Sequence, residues 1–274
     1  MSRYRHRTLE ACIADISAQF PAVLVTGPRQ VGKTTLLRHI AGKGRRYVSL
    51  DDPTLRELAT ADPRLFLERF PPPLLIDEIQ YAPGLLPYLK LRIDARREPG
   101  AFWLTGSQQF QMMKGVTETL AGRVAVINLL GFSQRERLGQ RWNVEPFLPE
   151  ATAVARRGTL AIKGERALYA AIWTGGFPAL VTGEAADRDV FFSSYLQTYL
   201  QRDVRDLAQV GSIETFTRFV RACAARTAQL LNLSDLARDV DVSVPTAKSW
   251  LSVWWQAVRC FSCSPITPAS PSGW

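Results

Sequence analysis

The segment GPRQVGKTT, Gly27 to Thr35, follows the apolar run AVLVTG and precedes the helical pattern TTLLRHI. A glycine, four residues and then Gly-Lys-Thr, set between a strand and a helix, lets consecutive backbone N–H groups curl around a phosphate at the positive end of a helix. By average composition, a chance match in a chain this long has odds of about one in a hundred. Gly27 and Gly32 permit the turn, and the cradle runs through Pro28, Arg29, Gln30 and Val31 to Lys33, Thr34 and Thr35. In such a cradle Lys33 reaches the β and γ oxygens of a triphosphate, and the Thr34 hydroxyl is a ligand for Mg²⁺. The expected ligands are therefore ATP and Mg²⁺.

Working outward, LLIDEIQ offers the other half of such a site. An apolar strand ending in Asp77 delivers a carboxylate beside the loop, able to hold the magnesium through water. Glu78 follows, and a glutamate there can polarise a water aimed at the γ-phosphate, a role that pure binding does not need. The pair therefore argues for hydrolysis; the blander reading is two carboxylates capping a strand in solvent. AFWLTGS supplies a further strand ending in Thr105 and Ser107, hydroxyls suited to orient an attacking water, although a simple turn explains TGS equally well. Arg123, in LAGRVAVINLL, precedes the last expected strand. An arginine finger there is worth about 10³ to 10⁵ in rate in other systems, against a surface or ion-paired role.

Short apolar strands alternate with helical patterns from Ala22 to about Leu130: PAVLVTG, RRYVSLDD, PPPLLIDEIQ, AFWLTGS and VAVINLL. Continuous apolar runs without alternation are the mark of parallel strands buried on both faces, and LLID and VAVINLL read this way. TTLLRHIAG, TLRELATADPRLFLERF and GLLPYLKLRIDARRE supply the crossover helices. GQRWNVEPFLPEATAVARRG lacks clear periodicity and reads as a linker. GERALYAAIWTGGFPAL and DRDVFFSSYLQTYLQRDVRDLAQV then read as helical, broken at GGFP. The organisation expected is residues 1–140 as an α/β nucleotide-binding domain, 141–164 as linker, 165–255 as an all-α domain, and 256–274 as an aberrant tail.

The 274 residues, 46% of them hydrophobic, suffice for two cores. No apolar run approaches a membrane span. The basic start leads into an amphipathic helix, with Leu9, Cys12, Ile13 and Ile16 on one face. Four cysteines without a disulfide framework fit a reducing compartment, so a cytoplasmic location is expected. The formal charge of +9 favours phosphate-bearing partners, nucleic acid ahead of membrane.

With these residues in view, the chain resembles a prokaryotic family of ATP-binding proteins that join an AAA-like P-loop domain to a poorly characterised C-terminal domain. The resemblance rests on GPRQVGKTTLL, SLDDPTLRELA, LLIDEIQYAPGLLPYLK, FWLTGSQQF, LAGR, GGFP, YLQTYLQRDV and LNLSDLARDVDVSVPTAKSWL, in the family's order. It implies an ATPase of the additional-strand class, with a strand between the phosphate-loop strand and the Asp-Glu strand. It also implies that Arg123 acts on a neighbouring subunit's nucleotide, hence a homo-oligomer. It leaves LDDP without an assigned role, Asp51 and Asp52 either capping a helix or approaching the metal.

LNLSDLARDVDVSVPTAKSWL has the spacing of a helix-turn-helix: Ser234 and Ser243 as N-caps, Leu236, Ala237, Val240, Val242 and Ala247 inward, Asp241 in the turn, and Thr246, Lys248 and Ser249 outward. DNA in the major groove is one use of such a unit and packing is another. The stripe Phe191, Phe192, Tyr195 and Tyr199 reads as core, and Arg202, Asp203, Arg205 and Asp206 as a solvated, paired face. The end of the chain, SVWWQAVRCFSCSPITPASPSGW, fits neither the helical pattern nor the family. Codons for WWQAVRCFSC read two bases later can encode VASGAVFLL, so a frameshift near Val253 is expected. Cys260 and Cys263 have CxxC spacing but no second ligand pair. The function expected is ATP hydrolysis coupled to an unknown protein or nucleic-acid target, with a nucleotide-switched DNA-binding regulator as the alternative and a small-molecule kinase as a third reading.

Overall fold

All six residues of β1, Ala22–Gly27, are buried, as expected of a central strand covered on both faces. In the computed structural model, which describes residues 4–107, 115–116, 118–140, 150–156, 164–199 and 213–258, β1 lies between two other strands. Five parallel strands, β1 with β2 (Arg46–Ser49), β3 (Leu74–Asp77), β4 (Phe102–Ser107) and β5 (Val124–Asn128), run in the order β2-β3-β4-β1-β5. The sheet thus has β4 between the phosphate-loop strand and the Asp77 strand, as the additional-strand class requires.

Strand alternation sends Ala22 and Leu24 to one face and Val23 and Val25 to the other. The first pair joins Phe66, Leu85, Leu89, Ile93, Phe102 and Leu104 in one core. The second joins Ile13, Leu36, Leu37, Leu75, Trp103 and Ile127 in another, with Leu9 and Ile16 packed against it. Helices α1 (Leu9–Ser17) and α2 (Lys33–Ile40) therefore cover one face of the sheet. Helices α3 (Pro53–Ala61), α4 (Pro63–Arg69) and α5 (Leu85–Ala95) cover the other.

Three readings of the sheet and its connections change. TLRELATADPRLFLERF is two helices, because Pro63 cannot continue α3 and Asp62 turns out of it to cap α4, accepting from Leu65 N–H. VAVINLL is not buried throughout: β5 is an edge strand, and Val126 is 38% exposed. The expected linker holds a short helix, Ala151–Arg156.

The chain divides into two compact units, Met1–Tyr195 and Leu196–Trp274. The first includes the helices Glu165–Thr174 and Pro178–Val181. Between them Gly176 passes so close to Gly131 that a Cβ on either would lie 2.7 Å from backbone oxygen, and Phe132 N–H donates to Gly176 O at 2.6 Å. Phe191, Phe192 and Tyr195 gather around Phe177, Tyr195 buried and the three phenylalanines half-buried; the Tyr199 side chain and residues 202–206 lie outside the described residues.

In the second unit, Phe216 and Phe219 of the helix Ile213–Ala225 meet Trp250 edge-on. Two further helices, Leu233–Val240 and Val244–Val258, bury Leu236, Ala237, Val240 and Ala247, with Asp241 left-handed between them. Ser243 accepts from Thr246 N–H at the second start, but the first is capped by Asn232 rather than Ser234: the Asn232 side chain already takes the N–H groups of Ser234 and Asp235. Residues 259–274, with Cys260 and Cys263, lie outside the described residues.

The segment before α1 is fixed by a buried ion pair. Arg7, 7% exposed, donates from Nε to Glu136 Oε1 at 3.2 Å, from Nη1 to Val31 O and from Nη2 to Leu130 O. Glu136 also accepts the N–H groups of Thr8 and Ser133. Burial pushes the Glu136 carboxyl up, but those N–H donors and the Arg7 charge outweigh it and hold the group below its ordinary range. A carboxyl depressed in the folded state contributes stability that is present above its unfolded value and lost as pH falls through the folded one. Urea unfolding is therefore expected to show stability falling on acidification below about pH 4.5. Glu136→Gln should cost about 3–5 kcal/mol at pH 7, because it leaves the buried guanidinium unpaired, and should flatten the acid limb. An unchanged midpoint would contradict both.

Candidate functional site

The loop between β1 and α2 bends through Gly27 at φ 148°, Gln30 at φ 60° and Gly32 at φ 88°. Backbone of this kind turns successive N–H groups toward one point, which suits an anion. A side chain at Gly27 is ruled out, since its Cβ would lie 2.1 Å from Leu129 O. Gly32 begins α2 as its N-cap and has Pro178 as its nearest neighbour, 3.9 Å from a Cβ built there, so the GGFP break brings a proline to the phosphate loop. Lys33 is buried, and its Nζ donates to the loop's own carbonyls, Gly27 O at 3.1 Å and Pro28 O at 2.9 Å. Thr35 is exposed, Arg29 half-buried and Gln30 exposed, while Pro28 and Val31 are buried beneath the loop.

Asp77 ends β3 with only 4% of its surface exposed, so its oxygens need donors. Thr34 donates its hydroxyl to Oδ1 at 2.7 Å, Thr105 donates to the same oxygen, and the Tyr47 hydroxyl donates to Oδ2 at 2.9 Å. Four elements thus converge on one carboxylate: β3, the start of α2, β4 and β2. Burial, then the nearby Asp77 charge, pushes the Tyr47 phenol above its ordinary range, which keeps it a donor. The Arg38 guanidinium lies over the Tyr47 ring, 4.7 Å from its centre.

Glu78, the next residue, takes the left-handed conformation at φ 58°. That costs energy for a residue with a Cβ and is concentrated at functional positions. Its N–H donates to Thr105 Oγ1 at 2.9 Å, and its carboxylate accepts from the Gln80 side-chain amide. The Thr105 hydroxyl therefore joins Asp77 to the Glu78 backbone, which makes it a positioning group for both carboxylates. Ser107 ends β4 opposite Gly27 in register, and its side chain lies outside the described residues.

Arg123 is not brought to this loop. Its carbonyl accepts from Ala22 N–H at the opposite end of β1, five residues and about 16 Å of strand away. There the guanidinium is ion-paired with Asp94 at 2.5 and 2.9 Å. Asp51 is exposed, and Asp52 caps α3 by accepting from Thr54 N–H at 2.8 Å.

Sequence reasoning passed over Tyr47, Gln80, Arg7 and Pro178. A tyrosine in RRYVSLDD one strand from the Asp77 strand was the available signal for the first, and the paired glycines before Pro178 for the last. Arg7 and Gln80 carry no local pattern that distinguishes them from ordinary surface residues.

Residues 19–138 match the family model described as an AAA domain, and residues 165–272 match that described as a domain of unknown function, DUF8612. The second match runs through the segment read above as an aberrant tail. Residues 19–138 are thus similar to an AAA domain, and residues 165–272 to a domain of unknown function. Uncharacterized proteins of Mycobacterium bovis and Mycobacterium tuberculosis are each 30% identical to it over 241 residues, covering 87% of this chain and 48% of theirs. The chain thus spans about half the length of the curated relatives it matches. Among solved structures, it is similar to a Walker-type ATPase of Pyrococcus abyssi, at 15% identity and TM-score 0.48 over 90% of this chain and 96% of that one. A point variant of RuvB from Thermotoga maritima stands at 18% and 0.39 over 91% and 84%, and AMPPCP-bound DnaA of Aquifex aeolicus at 14% and 0.39 over 89% and 86%. No described helix is long and apolar enough to cross a membrane.

Replacing Thr105 by Val keeps the shape but strips a buried hydroxyl from Asp77 and from the Glu78 N–H. The expected loss is about 2–4 kcal/mol in urea unfolding, with Thr105→Ser close to the parent. Equal stability of the Val and Ser variants would remove Thr105 from this role.

Proposed function

We propose that this chain binds ATP with Mg²⁺ and hydrolyses it to ADP and phosphate, as the working part of a larger, target-directed assembly. The observation that carries the reading is the hydrogen bond of Thr34 to Asp77 at the mouth of the loop, with Glu78 one residue further on.

A hydroxyl and a carboxylate 2.7 Å apart are hard oxygen donors of the kind Mg²⁺ accepts, alongside water and phosphate oxygens. Thr34 and Asp77 would hold the ion, which would neutralise charge on the phosphate oxygens. The loop N–H groups orient the β-phosphate. Lys33 exchanges the Gly27 and Pro28 carbonyls for the β and γ oxygens. Glu78 takes a proton from a water whose oxygen bonds to the γ-phosphorus as the bond to the β–γ bridging oxygen breaks and ADP leaves. Gln80 and Thr105 hold Glu78 by its carboxylate and its N–H.

Arg123 is too far along the strand to serve its own chain's nucleotide, which supports a role on a neighbouring copy once it leaves Asp94. We further read the helices Leu233–Val240 and Val244–Val258 as a helix-turn-helix unit. Lys248 is the single cation between Val244 and Ser249, a thin lining for a phosphate backbone, so contact with protein is the preferred use over a DNA switch.

Glu78→Gln should keep ATP affinity while phosphate release falls by about 10²–10⁴. Undiminished turnover would remove Glu78 from the mechanism. The rate per chain should rise with protein concentration in the parent and not in Arg123→Ala; a parent rate independent of concentration argues against a shared site. A search for phosphoryl transfer to metabolites, and for DNA affinity that depends on ATP and falls with salt, tests the other readings.

A further inference from the structure

The chain has two histidines, and the fold brings them together. His6 lies before α1 and His39 in the last turn of α2, 33 positions on. Glu10, in the first turn of α1, completes the group, and one ligand atom from each of the three falls within 4.8 Å of the others. The carboxylate is oriented. Its Oε1 accepts the Tyr4 hydroxyl at 2.8 Å and the Arg7 N–H at 2.7 Å, which leaves Oε2 facing His6 Nδ1 at 3.0 Å. Burial pushes the Glu10 carboxyl up, but the Arg7 N–H, His6 and Tyr4 outweigh it and hold the group below its ordinary range. The Tyr4 ring also stacks on His39, 3.6 Å between centres, which fixes that imidazole's plane.

We propose that His6, Glu10 and His39 bind a divalent transition metal, Zn²⁺ being the ion this donor set fits, and so tie the segment before α1 to the last turn of the phosphate-loop helix. Two imidazole nitrogens and one carboxylate oxygen are a known three-ligand Zn²⁺ set, with water as the fourth ligand. Tetrahedral coordination at about 2.0–2.1 Å sets neighbouring donors about 3.3 Å apart, so the observed spread closes by small side-chain rotations on an accessible surface. The position favours a cation, because carbonyl dipoles of α2 point their negative ends at its last turn. The nearby arginines are turned elsewhere: Arg7 to Val31, Leu130 and Glu136, and Arg38 to the Tyr47 ring. Tyr4 plays the part of the outer hydrogen-bonding partner that holds a ligating carboxylate.

The test is a titration of the untagged full chain with Co²⁺ as the spectroscopic probe, followed by displacement with Zn²⁺. One Co²⁺ per chain with the visible bands of four-coordinate cobalt is expected, displaced stoichiometrically by Zn²⁺. His6→Ala, His39→Ala and Glu10→Gln should each weaken Zn²⁺ binding by more than about tenfold, and Tyr4→Phe by about tenfold. His6 and His39 are exposed, so these variants should keep the parent's circular dichroism. Three results would overturn the proposal: no Co²⁺ bands, bands unchanged in His39→Ala and Glu10→Gln, or bands that vanish only when Cys260 and Cys263 are changed to Ser.

Discussion

One carboxylate organises the site. Asp77 is buried at the end of β3, and a buried carboxylate is stable only when its oxygens are met by donors. Three hydroxyls meet them: Thr34 from the start of α2, Tyr47 from β2 and Thr105 from β4. The strand order places β4 beside both β1 and β3, so Thr105 can reach Asp77 while Gly27 and Ser107 stay in register. Thr34, in the first turn of α2 directly after the loop, meets the same strand end. Sheet order and carboxylate geometry are therefore one constraint.

The loop itself depends on close backbone approach. Leu129 O occupies the space a Gly27 side chain would need, and Arg7 holds the carbonyls of Val31 and Leu130 from beneath. Gly131 and Gly176 let the chain pass near the same corner, where Pro178 meets Gly32. Segments far apart in sequence thus brace the phosphate loop, which explains why the first compact unit extends to Tyr195, beyond the sheet.

The five strands and the residues of the candidate site were legible because both follow local rules. Apolar runs marked the strands and, at the end of one of them, Asp77 and Glu78, and fixed spacing marked Gly27, Lys33 and Thr34. What was not legible depends on partners distant in sequence. Tyr47 reads as an ordinary strand aromatic until β2 lies beside β3, and Arg7 as a basic N-terminal residue until Glu136 is buried over it. The exposure of β5 follows from its edge position, which composition does not encode. The split of α3 from α4 was visible in principle at Asp62-Pro63, and the Asn232 cap competed with Ser234 two residues away. Arg123 shows the reverse case: its sequence position suggested a finger, and the fold sets it at the far end of β1 against Asp94.

The direct measurement is electron paramagnetic resonance of Mn²⁺, standing in for Mg²⁺, added to the full chain with a non-hydrolysable ATP analogue. Asp77 and Thr34 as joint metal ligands require Mn²⁺ binding that depends on the nucleotide and weakens at least about tenfold in Asp77→Asn and in Thr34→Ala, with metal-free nucleotide affinity retained. Mn²⁺ affinity unchanged in Asp77→Asn would contradict the site as described.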